Sequence, residues 1–250
     1  MTPRAHDIYE TLLQMASPER AQVLLRFFKT GKGQYGEGDK FLGVDNPHVR
    51  MVVKMAWKDT TLEDARCLAT NEWHEVRLCG LLILVEQFLF AHRKKDQDRM
   101  EQIFRTYISL HPHINNWDLV DLSAYKIVGN YEILHPEETL MDQWIQPDHT
   151  LWQQRISMIA TWMHVRHHHF GQLLSRAEVL IPTQENLLQK ASGWMLREMG
   201  KHSEEGKEQL LLFLEQHVHE MPSVMLSYAI EQFPSDQRLY WREESRRRRL

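Results

Sequence analysis

The sequence has few cysteines and no long hydrophobic run. Its 250 residues include only Cys67 and Cys79, which form no CxxC pair, and this argues against a disulfide framework or a zinc ribbon. The longest apolar run, Leu78–Val85, is far shorter than the roughly 20 residues that span a membrane. The segment Met1–Ala16 is amphipathic and interrupted by charge, unlike a secretory signal. We therefore expect a cytoplasmic protein in a reducing compartment, with no membrane partner.

The sequence also lacks an excess of positive charge. Its formal net charge is −4 and its pI is near 6.4, whereas a nucleic-acid-binding domain is usually basic. The basic residues are clustered, however, at Arg93–Lys95 and at Arg246–Arg249 among other places. A basic face on an acidic body is therefore compatible with the composition. Hydrophobic residues at 42% and charged residues at 26% are typical of a globular protein.

No segment shows the strict alternation of apolar and polar residues that is typical of a β-strand. Amphipathic segments follow one another instead, separated by Pro and Gly, which predicts an all-α protein. Ala5–Met15 is predicted as the first helix, and Ser17 caps a second one that begins at Pro18. The glycine-rich segment Thr30–Lys40 lacks the GxxxxGK[ST] spacing and follows a helix, so we interpret it as a connector rather than a nucleotide-binding loop.

Six segments of the chain resemble one another. Each has an apolar body after its third position, and in five of the six that third position is a polar residue. Their third positions are Arg50, Arg77, Asp121, Arg155, Lys190 and Met225, at steps of 27, 44, 34, 35 and 35 residues. A helix pair with its turns fills about 40 residues, so these steps predict a HEAT-like α-solenoid of stacked antiparallel helix pairs. The intervening helices are predicted at Thr61–Ala69, Gln97–Leu110, Glu137–Trp144, Phe170–Leu180 and Glu204–His217. We expect one domain over residues 1–240, and a basic, disordered tail over 241–250.

Equivalent positions of such repeats form a row on the concave face. Four of the six row residues are cations, which favours a polyanionic ligand, but Asp121 in the middle of the row does not fit a simple phosphate track. Trp117, Trp152 and Trp194 each lie about one helical turn from a row residue. A single tryptophan at such a position is more often part of a core, whereas three around one carboxylate indicate a site.

The stretch Asn115–Asp121 holds two carboxylates and an indole where a helix is predicted to begin. Trp117 and Asp121 are four residues apart and therefore share one helix face. In a purely structural interpretation, Asn116 or Asp118 caps the helix and Trp117 packs at its end. In a functional one, the carboxylate of Asp121 faces a ligand beside the indole.

These motifs resemble the AlkD-like DNA alkylation repair glycosylases, a family built from HEAT-like repeats. The resemblance runs from about Ala21 to Lys201 and rests on four motifs in order: Phe41-Leu-Gly-Val with Pro47, Trp117-Asp-Leu-Val-Asp121, Trp152-Gln-Gln-Arg155 and Gln189–Glu198. The sequence departs from the family at Phe27, where a DNA-contacting tyrosine is usual, near Asp45, where an amide is usual, and at Asn186 and Leu187, where aromatic residues are usual.

The resemblance implies that Asp121 is catalytic, that Trp117 and Trp194 line the lesion cleft, and that Arg155 holds the DNA backbone. Together with the basic row, it makes Lys190, Arg50 and Arg77 further candidates for backbone contacts. Additional candidates for the site are Trp152, Asp118, Arg197 and Asp45.

The implied reaction is hydrolysis of the N-glycosidic bond of cationic alkylated purines in duplex DNA, the first step of base excision repair. Such a base already carries a positive charge and leaves without a general acid, so the enzyme needs only to stabilise the sugar cation. A fixed carboxylate does this and can orient water. No metal and no organic cofactor is expected. We expect a monomer that acts in the cytoplasm, at the nucleoid in a prokaryote.

Three alternatives remain at this stage. A non-catalytic HEAT-repeat module that binds a peptide or DNA would use Asp121 only as an ion-pair partner, for example of Arg155. An RNA-binding function is disfavoured because the sequence holds no stacking-platform motif. A metal site at His164 and His168, which share a helix face, lacks an evident third ligand.

Overall fold

The computed structural model describes residues 1–247 of the chain. It has two compact units, the first from Met1 to Ile127 and the second beginning at Val128. The described residues contain no β-strand, and their one isolated bridge pairs Lys40 with Trp73. The predicted fold class, an all-α fold of HEAT-like helix pairs, is confirmed.

The helices of the first unit are α1 (Pro3–Leu13), α2 (Pro18–Phe27), α3 (Asn46–Ala56), α4 (Leu62–Ala69), α5 (His74–Lys94), α6 (Gln97–Ser109) and α7 (Trp117–Ala124). Short 3₁₀ segments lie at Trp57–Asp59 and His111–His113, and the π-helix Tyr125–Gly129 follows α7. The predicted caps are present where the sequence indicated them. The Ser17 hydroxyl accepts the backbone N–H of Arg20 at 3.3 Å, with Pro18 in the first turn of α2.

Helix α5 is the centre of the first unit. It packs against α3, α4, α6 and α7, and its side chains are buried on all sides over most of its 21 residues. A helix that is apolar all round belongs in a core, and each large side chain buried there stabilises the fold by roughly 1.5–3 kcal/mol. Because neighbours hold α5 on several sides, its first turn, which begins at His74, provides a rigid support for polar side chains.

The helices of the second unit are α8 (Asn130–Leu134), α9 (Leu140–Trp144), α10 (Leu151–Arg166), α11 (Gly171–Leu180), α12 (Asn186–His202), α13 (Glu204–His217), α14 (Ser223–Ala229) and α15 (Ser235–Arg247). Helix α12 packs against α10, α11, α13 and α14 and has the central place in this unit. The predicted helices Phe170–Leu180 and Glu204–His217 correspond to α11 and α13, whereas α9 starts three residues later than predicted.

A buried ionic cluster joins four helices of the second unit. The guanidinium of Arg176 lies 2.5 Å from Oε1 of Glu132 and 2.8 Å from Oδ1 of Asp142. His164 Nε2 lies 3.4 Å from the same Glu132 carboxylate, whereas His168 is exposed. Burial would raise the pKa of Glu132, but the charges and hydrogen bonds of Arg176 and His164 together outweigh it and lower that pKa. Helix α10 ends at Arg166 and His168 lies in the turn after it, so the predicted shared helix face of the two histidines is not formed.

Helix α15 includes part of the predicted C-terminal tail. Trp241 is buried and the helix continues to Arg247, so this part of residues 241–250 is helical. Arg248, Arg249 and Leu250 lie outside the described residues. Over residues 1–247, no helix combines the length and the apolar composition that are needed to cross a bilayer.

Candidate active site

The stretch Asn115–Asp121 starts helix α7 as predicted. Asn116 is the N-cap, and its side-chain oxygen accepts the backbone N–H of Trp117 at 2.9 Å. Trp117 is the first residue of the helix, and Asp121 lies one turn further on the same face. Asp118 is buried, whereas Trp117 and Asp121 are half-buried. The cap therefore orients the helix so that the indole and one carboxylate remain partly accessible.

A cavity of about 380 Å³ lies beside this helix, within the first unit. Trp117, Asp121 and Leu122 line it from α7, and Leu24 and Phe27 line it from α2. The loop before α3 and the first residues of α5 complete the lining with Phe41, Val44, Asp45, His74 and Glu75. The volume falls in the range of small-ligand pockets, roughly 300–1,000 Å³.

Aromatic rings form one side of this cavity. The indole of Trp117 stacks on Phe28, with ring centroids 5.2 Å apart and planes at 27°, and Phe28 stacks in turn on Phe41 at 5.0 Å. Phe27 meets the indole edge-on at 5.8 Å, and 59% of its surface is exposed. Stacked and edge-on ring pairs are each worth roughly 0.5–1.5 kcal/mol beyond their buried area. The indole is therefore held by the rings beside it.

A buried polar network lies behind the rings. His74 is placed between two carboxylates, with Nδ1 2.7 Å from Asp39 and Nε2 2.8 Å from Asp118. The Nη2 atom of Arg77 lies 2.6 Å from the other oxygen of Asp39. Burial would lower the pKa of His74, but the charge of Asp118 and the hydrogen bonds to Asp118 and Asp39 raise it to about 9. Burial would raise the pKa of Asp39, but His74 and Arg77 lower it to about 2.

Glu75 fixes the loop on the other side of the cavity. Its carboxylate accepts the backbone N–H groups of Leu42, Gly43 and Val44 at 2.9, 2.8 and 3.2 Å. Gly43 has a φ of +84°, and a Cβ there would collide with the carbonyl of Ser17. Only glycine fits a position with both features. The loop is therefore set by α5 on one side and by the start of α2 on the other.

Asp45 is part of the cavity lining and also caps α3. Its side chain accepts the backbone N–H of His48 at 3.1 Å, and its second oxygen lies 3.7 Å from Arg20. The hydrogen bond from the His48 backbone is the main reason for the lowered pKa of Asp45. Near this position an amide is usual in the family, whereas this chain has Asp45, a charged helix cap at the edge of the cavity.

The predicted backbone-contacting residues of the first unit have different environments. Arg50 is exposed and lines a groove of about 530 Å³ together with Lys54, Lys58 and Lys126. Arg77, in contrast, is only 4% exposed, and its guanidinium donates to Asp39, to Asn115 and to the carbonyl oxygens of Asn71 and Glu72. The structure places Arg77 inside the protein, which argues against the predicted contact with DNA; that contact stays a prediction.

The candidates of the second unit are buried or half-buried. Arg155 is 4% exposed and donates from Nη1 to the carbonyl oxygen of Leu187 at 2.5 Å, while Trp152 and Lys190 are half-buried. The indole N–H of Trp194 donates to Glu198 at 3.2 Å, and its ring lies 5.7 Å from that of Trp162. Arg197 forms ion pairs with Glu198 and Glu231. Its charge is therefore neutralised by neighbouring carboxylates.

The sequence analysis missed His74, Asp39, Phe28 and Glu75. A sequence signal for two of them exists, because His74 and Glu75 are polar residues about one helical turn before the apolar run Leu78–Val85, which is long enough to be buried. Polar residues at the start of a buried helix need partners. No comparable signal identifies Asp39, since it lies in the segment interpreted as a connector.

Comparisons with known proteins identify the family of this chain. The model of the family described as DNA alkylation repair enzyme matches residues 8–233. The chain belongs to this family. A protein of known structure described as a predicted DNA alkylation repair enzyme from Enterococcus faecalis superposes with a TM-score of 0.69 at 16% identity, over 88% of this chain and 98% of that one. At that identity the likeness shows the fold alone. No curated protein matches the sequence.

Membership of the family confirms the resemblance stated from the motifs and supports a role in DNA repair, with DNA as the substrate. Over residues 1–247, no group of three or more His, Cys, Asp or Glu side chains is placed to hold a metal ion.

Proposed function

We propose that the protein is a DNA glycosylase that removes cationic alkylated purines, such as 3-methyladenine and 7-methylguanine, from duplex DNA. One observation carries this proposal: the carboxylate of Asp121 and the indole of Trp117 line the same cavity, one helical turn apart. A family that repairs alkylated DNA supports the choice of substrate.

The proposed reaction breaks the bond between C1′ of the deoxyribose and the base nitrogen. The bonding electron pair leaves with the base, which becomes neutral because it was cationic before. The sugar acquires the positive charge, which the carboxylate of Asp121 stabilises. A water molecule then adds to C1′ and releases its proton to the carboxylate or to solvent. Only side chains and water take part in these steps.

The aromatic side of the cavity fits the charge of the lesion. An indole face attracts a cation by roughly 0.5–2 kcal/mol, more strongly than a phenyl ring does. Trp117 lines the cavity and is supported by Phe28, while the exposed Phe27 extends the aromatic surface outward. Phe27 lacks the hydroxyl of a tyrosine and therefore contributes contact area but no hydrogen bond. We infer that recognition of the base relies on stacking and charge.

The groove lined by Arg50 is the proposed place of phosphate contacts in the first unit. Arg50 and Lys54 are spaced by four residues on α3 and share a helix face, and Lys58, in the 3₁₀ segment after α3, lines the same groove. Glu86 is the one acidic residue in that lining. Cations spaced along a groove suit a polyanionic backbone and give salt-dependent affinity. Arg155, Lys190 and Trp194 keep the roles implied by the resemblance, as backbone contacts and as a lesion contact.

The decisive experiment is the release of 7-methylguanine and 3-methyladenine from methylated duplex DNA by the wild type and by Asp121→Asn. The variant keeps the shape of the side chain and removes its charge, so excision should fall by roughly 10²–10³-fold. Asp98→Asn is the matched control, because Asp98 is an exposed carboxylate on α6 of the same unit. That control should retain full excision.

A non-catalytic DNA- or peptide-binding module is the competing interpretation, and the same experiment separates the two. If Asp121→Asn unfolds at a lower temperature but retains full excision per folded molecule, the carboxylate is structural and the glycosylase mechanism is wrong. Lack of excision by the wild type on any cationic lesion would favour the binding module.

A further inference from the structure

His74 is a deeply buried polar side chain at the candidate site. It is 2% exposed, and each of its ring nitrogens lies within hydrogen-bond distance of a different carboxylate. An ionised carboxylate only accepts hydrogen bonds, so both nitrogens donate only when the ring carries two protons. Between two ionised carboxylates, this geometry therefore indicates an imidazolium.

The surrounding charges match that state. Asp39 and Asp118 supply two negative charges, and His74 and Arg77 supply two positive ones. A neutral imidazole would point a lone pair at one of the carboxylates, which would lose one of its donors although Arg77 and Asn116 still donate to Asp39. A lone pair that faces a buried carboxylate is costly, whereas a charged ring donates to both partners.

This network is attached to the first turn of α7. Asp118, which pairs with His74, directly follows Trp117 and precedes Asp121 by three residues. Asn116, the cap of the helix, donates to Asp39 at 3.3 Å. The two residues that flank Trp117 in the sequence, Asn116 and Asp118, are thus both hydrogen-bonded to the pair Asp39–His74.

The same histidine also supports the aromatic side of the cavity. Its ring stacks on Phe41 with centroids 4.5 Å apart and lies 5.0 Å from Phe28. Phe28 is the ring on which Trp117 stacks. His74 is thus connected to Trp117 by two routes, one through hydrogen bonds and one through stacked rings.

We propose that His74 is a positioning residue: its doubly protonated ring holds the first turn of α7, and with it Trp117 and Asp121, in the geometry that excision requires. The proposal rests on the proposed function and deepens it, because it makes the reaction depend on a group that does not touch the scissile bond. The positioning is lost when the ring loses a proton.

The charged groups near the ring come from several elements. Asp39 approaches from the loop before α3 and Asp118 from α7, and Arg77 and Glu75 lie on α5 itself. The cavity lining adds Arg20, Asp45 and Asp121. The carboxylates nearest to the ring raise its pKa to about 9, so the ring is charged at neutral pH and loses its proton in alkaline solution.

The first test measures the ring in the wild-type protein, where folding is not in question. In ¹⁵N-histidine NMR, His74 should show both nitrogens protonated at pH 7 and one titration near pH 9. The indole N–H signal of Trp117 should shift in the same pH range. A singly protonated ring at pH 7, or an indole signal that does not follow the titration, overturns the proposal. Both readouts are independent of excision, so they remain decisive if the glycosylase proposal fails.

The second test measures single-turnover excision of 7-methylguanine between pH 7 and 10. The rate should fall as pH rises through about 9, with a smaller effect on DNA affinity. Asp39→Asn removes one of the two carboxylates, so the midpoint should move to lower pH by roughly 1 unit. Asp39 does not line the cavity, so this shift reports on His74. An unchanged midpoint in folded Asp39→Asn overturns the positioning role.

A substitution of the histidine itself completes the design. His74→Gln keeps one neutral donor and should reduce the excision rate at pH 7 by about 10-fold or more, with little change in KM, while its rate no longer falls above pH 8. A His74→Gln protein that retains the wild-type rate and the wild-type alkaline limb contradicts the proposal.

Discussion

The Nε2 atom of His74 lies 2.8 Å from the carboxylate of Asp118, the residue between Trp117 and the rest of its helix. This contact ties the two parts of the candidate site together, because the same helix carries the proposed catalytic carboxylate one turn later. Asp118 and Asp121 are three residues apart and differ in role. Both line the cavity, but the buried Asp118 is hydrogen-bonded to His74, whereas Asp121 is half-buried.

Trp117→Ala should reduce both excision and the preference for cationic lesions. The substitution removes the stack on Phe28 and the cation–π attraction, and loss of the cation–π attraction alone corresponds to roughly a 2- to 30-fold loss of rate. Trp117→Phe keeps a ring against Phe28 and should retain more activity than Trp117→Ala. The measurement is excision of 7-methylguanine per folded molecule. Equal rates in wild type and Trp117→Ala would show that the indole has only a packing role.

The charge of the leaving base should determine the rate. The proposed mechanism supplies no general acid, and general acid catalysis typically contributes about 10²–10⁴-fold. Neutral hypoxanthine and 1,N6-ethenoadenine should therefore be released at least ~100-fold more slowly than 7-methylguanine, when all are tested in the same duplex. Similar rates on neutral and cationic bases would contradict the mechanism.

The sequence was sufficient to predict the all-α repeat and the start of α7. Both depend on helix caps and on the spacing of apolar residues, which are set by residues close together in the sequence. It was also sufficient to place Trp117 and Asp121 on one face. It did not distinguish Arg50 from Arg77, which occupy equivalent row positions but have opposite exposure. Their difference depends on Asp39, which is 38 residues from Arg77 and is brought to it only by the tertiary fold.

The exposed Arg50 provides a test of phosphate binding in the first unit. Arg50→Ala should weaken duplex binding and reduce the slope of log K against log salt concentration by about 0.9, the value for one phosphate contact. Arg93→Ala is a suitable control, since Arg93 is an exposed arginine at the far end of α5 and outside the groove. A slope that does not differ between the two variants would remove Arg50 from the DNA interface.

Arg77 should behave in the opposite way. Arg77→Met leaves the Asp39 carboxylate with fewer partners in a buried position, and breaking a buried ion pair costs roughly 3–5 kcal/mol. We expect a lower midpoint in urea unfolding and no change in the salt dependence of DNA binding by the folded fraction. A changed salt slope with unchanged stability would restore Arg77 as a DNA contact.

The stability of the protein should depend on pH through His74 and Asp39. The pKa of His74 rises from 6.5 to about 9 on folding, so its contribution is complete below pH 6.5 and is lost as pH rises through 9. The size of that contribution is on the order of 3 kcal/mol. The pKa of Asp39 falls from 3.8 to about 2, so its contribution is present above pH 3.8 and is lost as pH falls through 2.

Urea unfolding of the wild type between pH 6 and 10 therefore tests this linkage directly. The free energy of unfolding should decrease from about pH 6.5 to about pH 9. His74→Gln has no titrating ring, so its free energy of unfolding should be lower at pH 6.5 and nearly constant over this range. His48→Gln is the control, because His48 is an exposed histidine that also pairs with a carboxylate, Asp45, and it should retain the wild-type slope. If wild type and His74→Gln lose stability in parallel between pH 6.5 and 9, the charged imidazolium does not stabilise this fold.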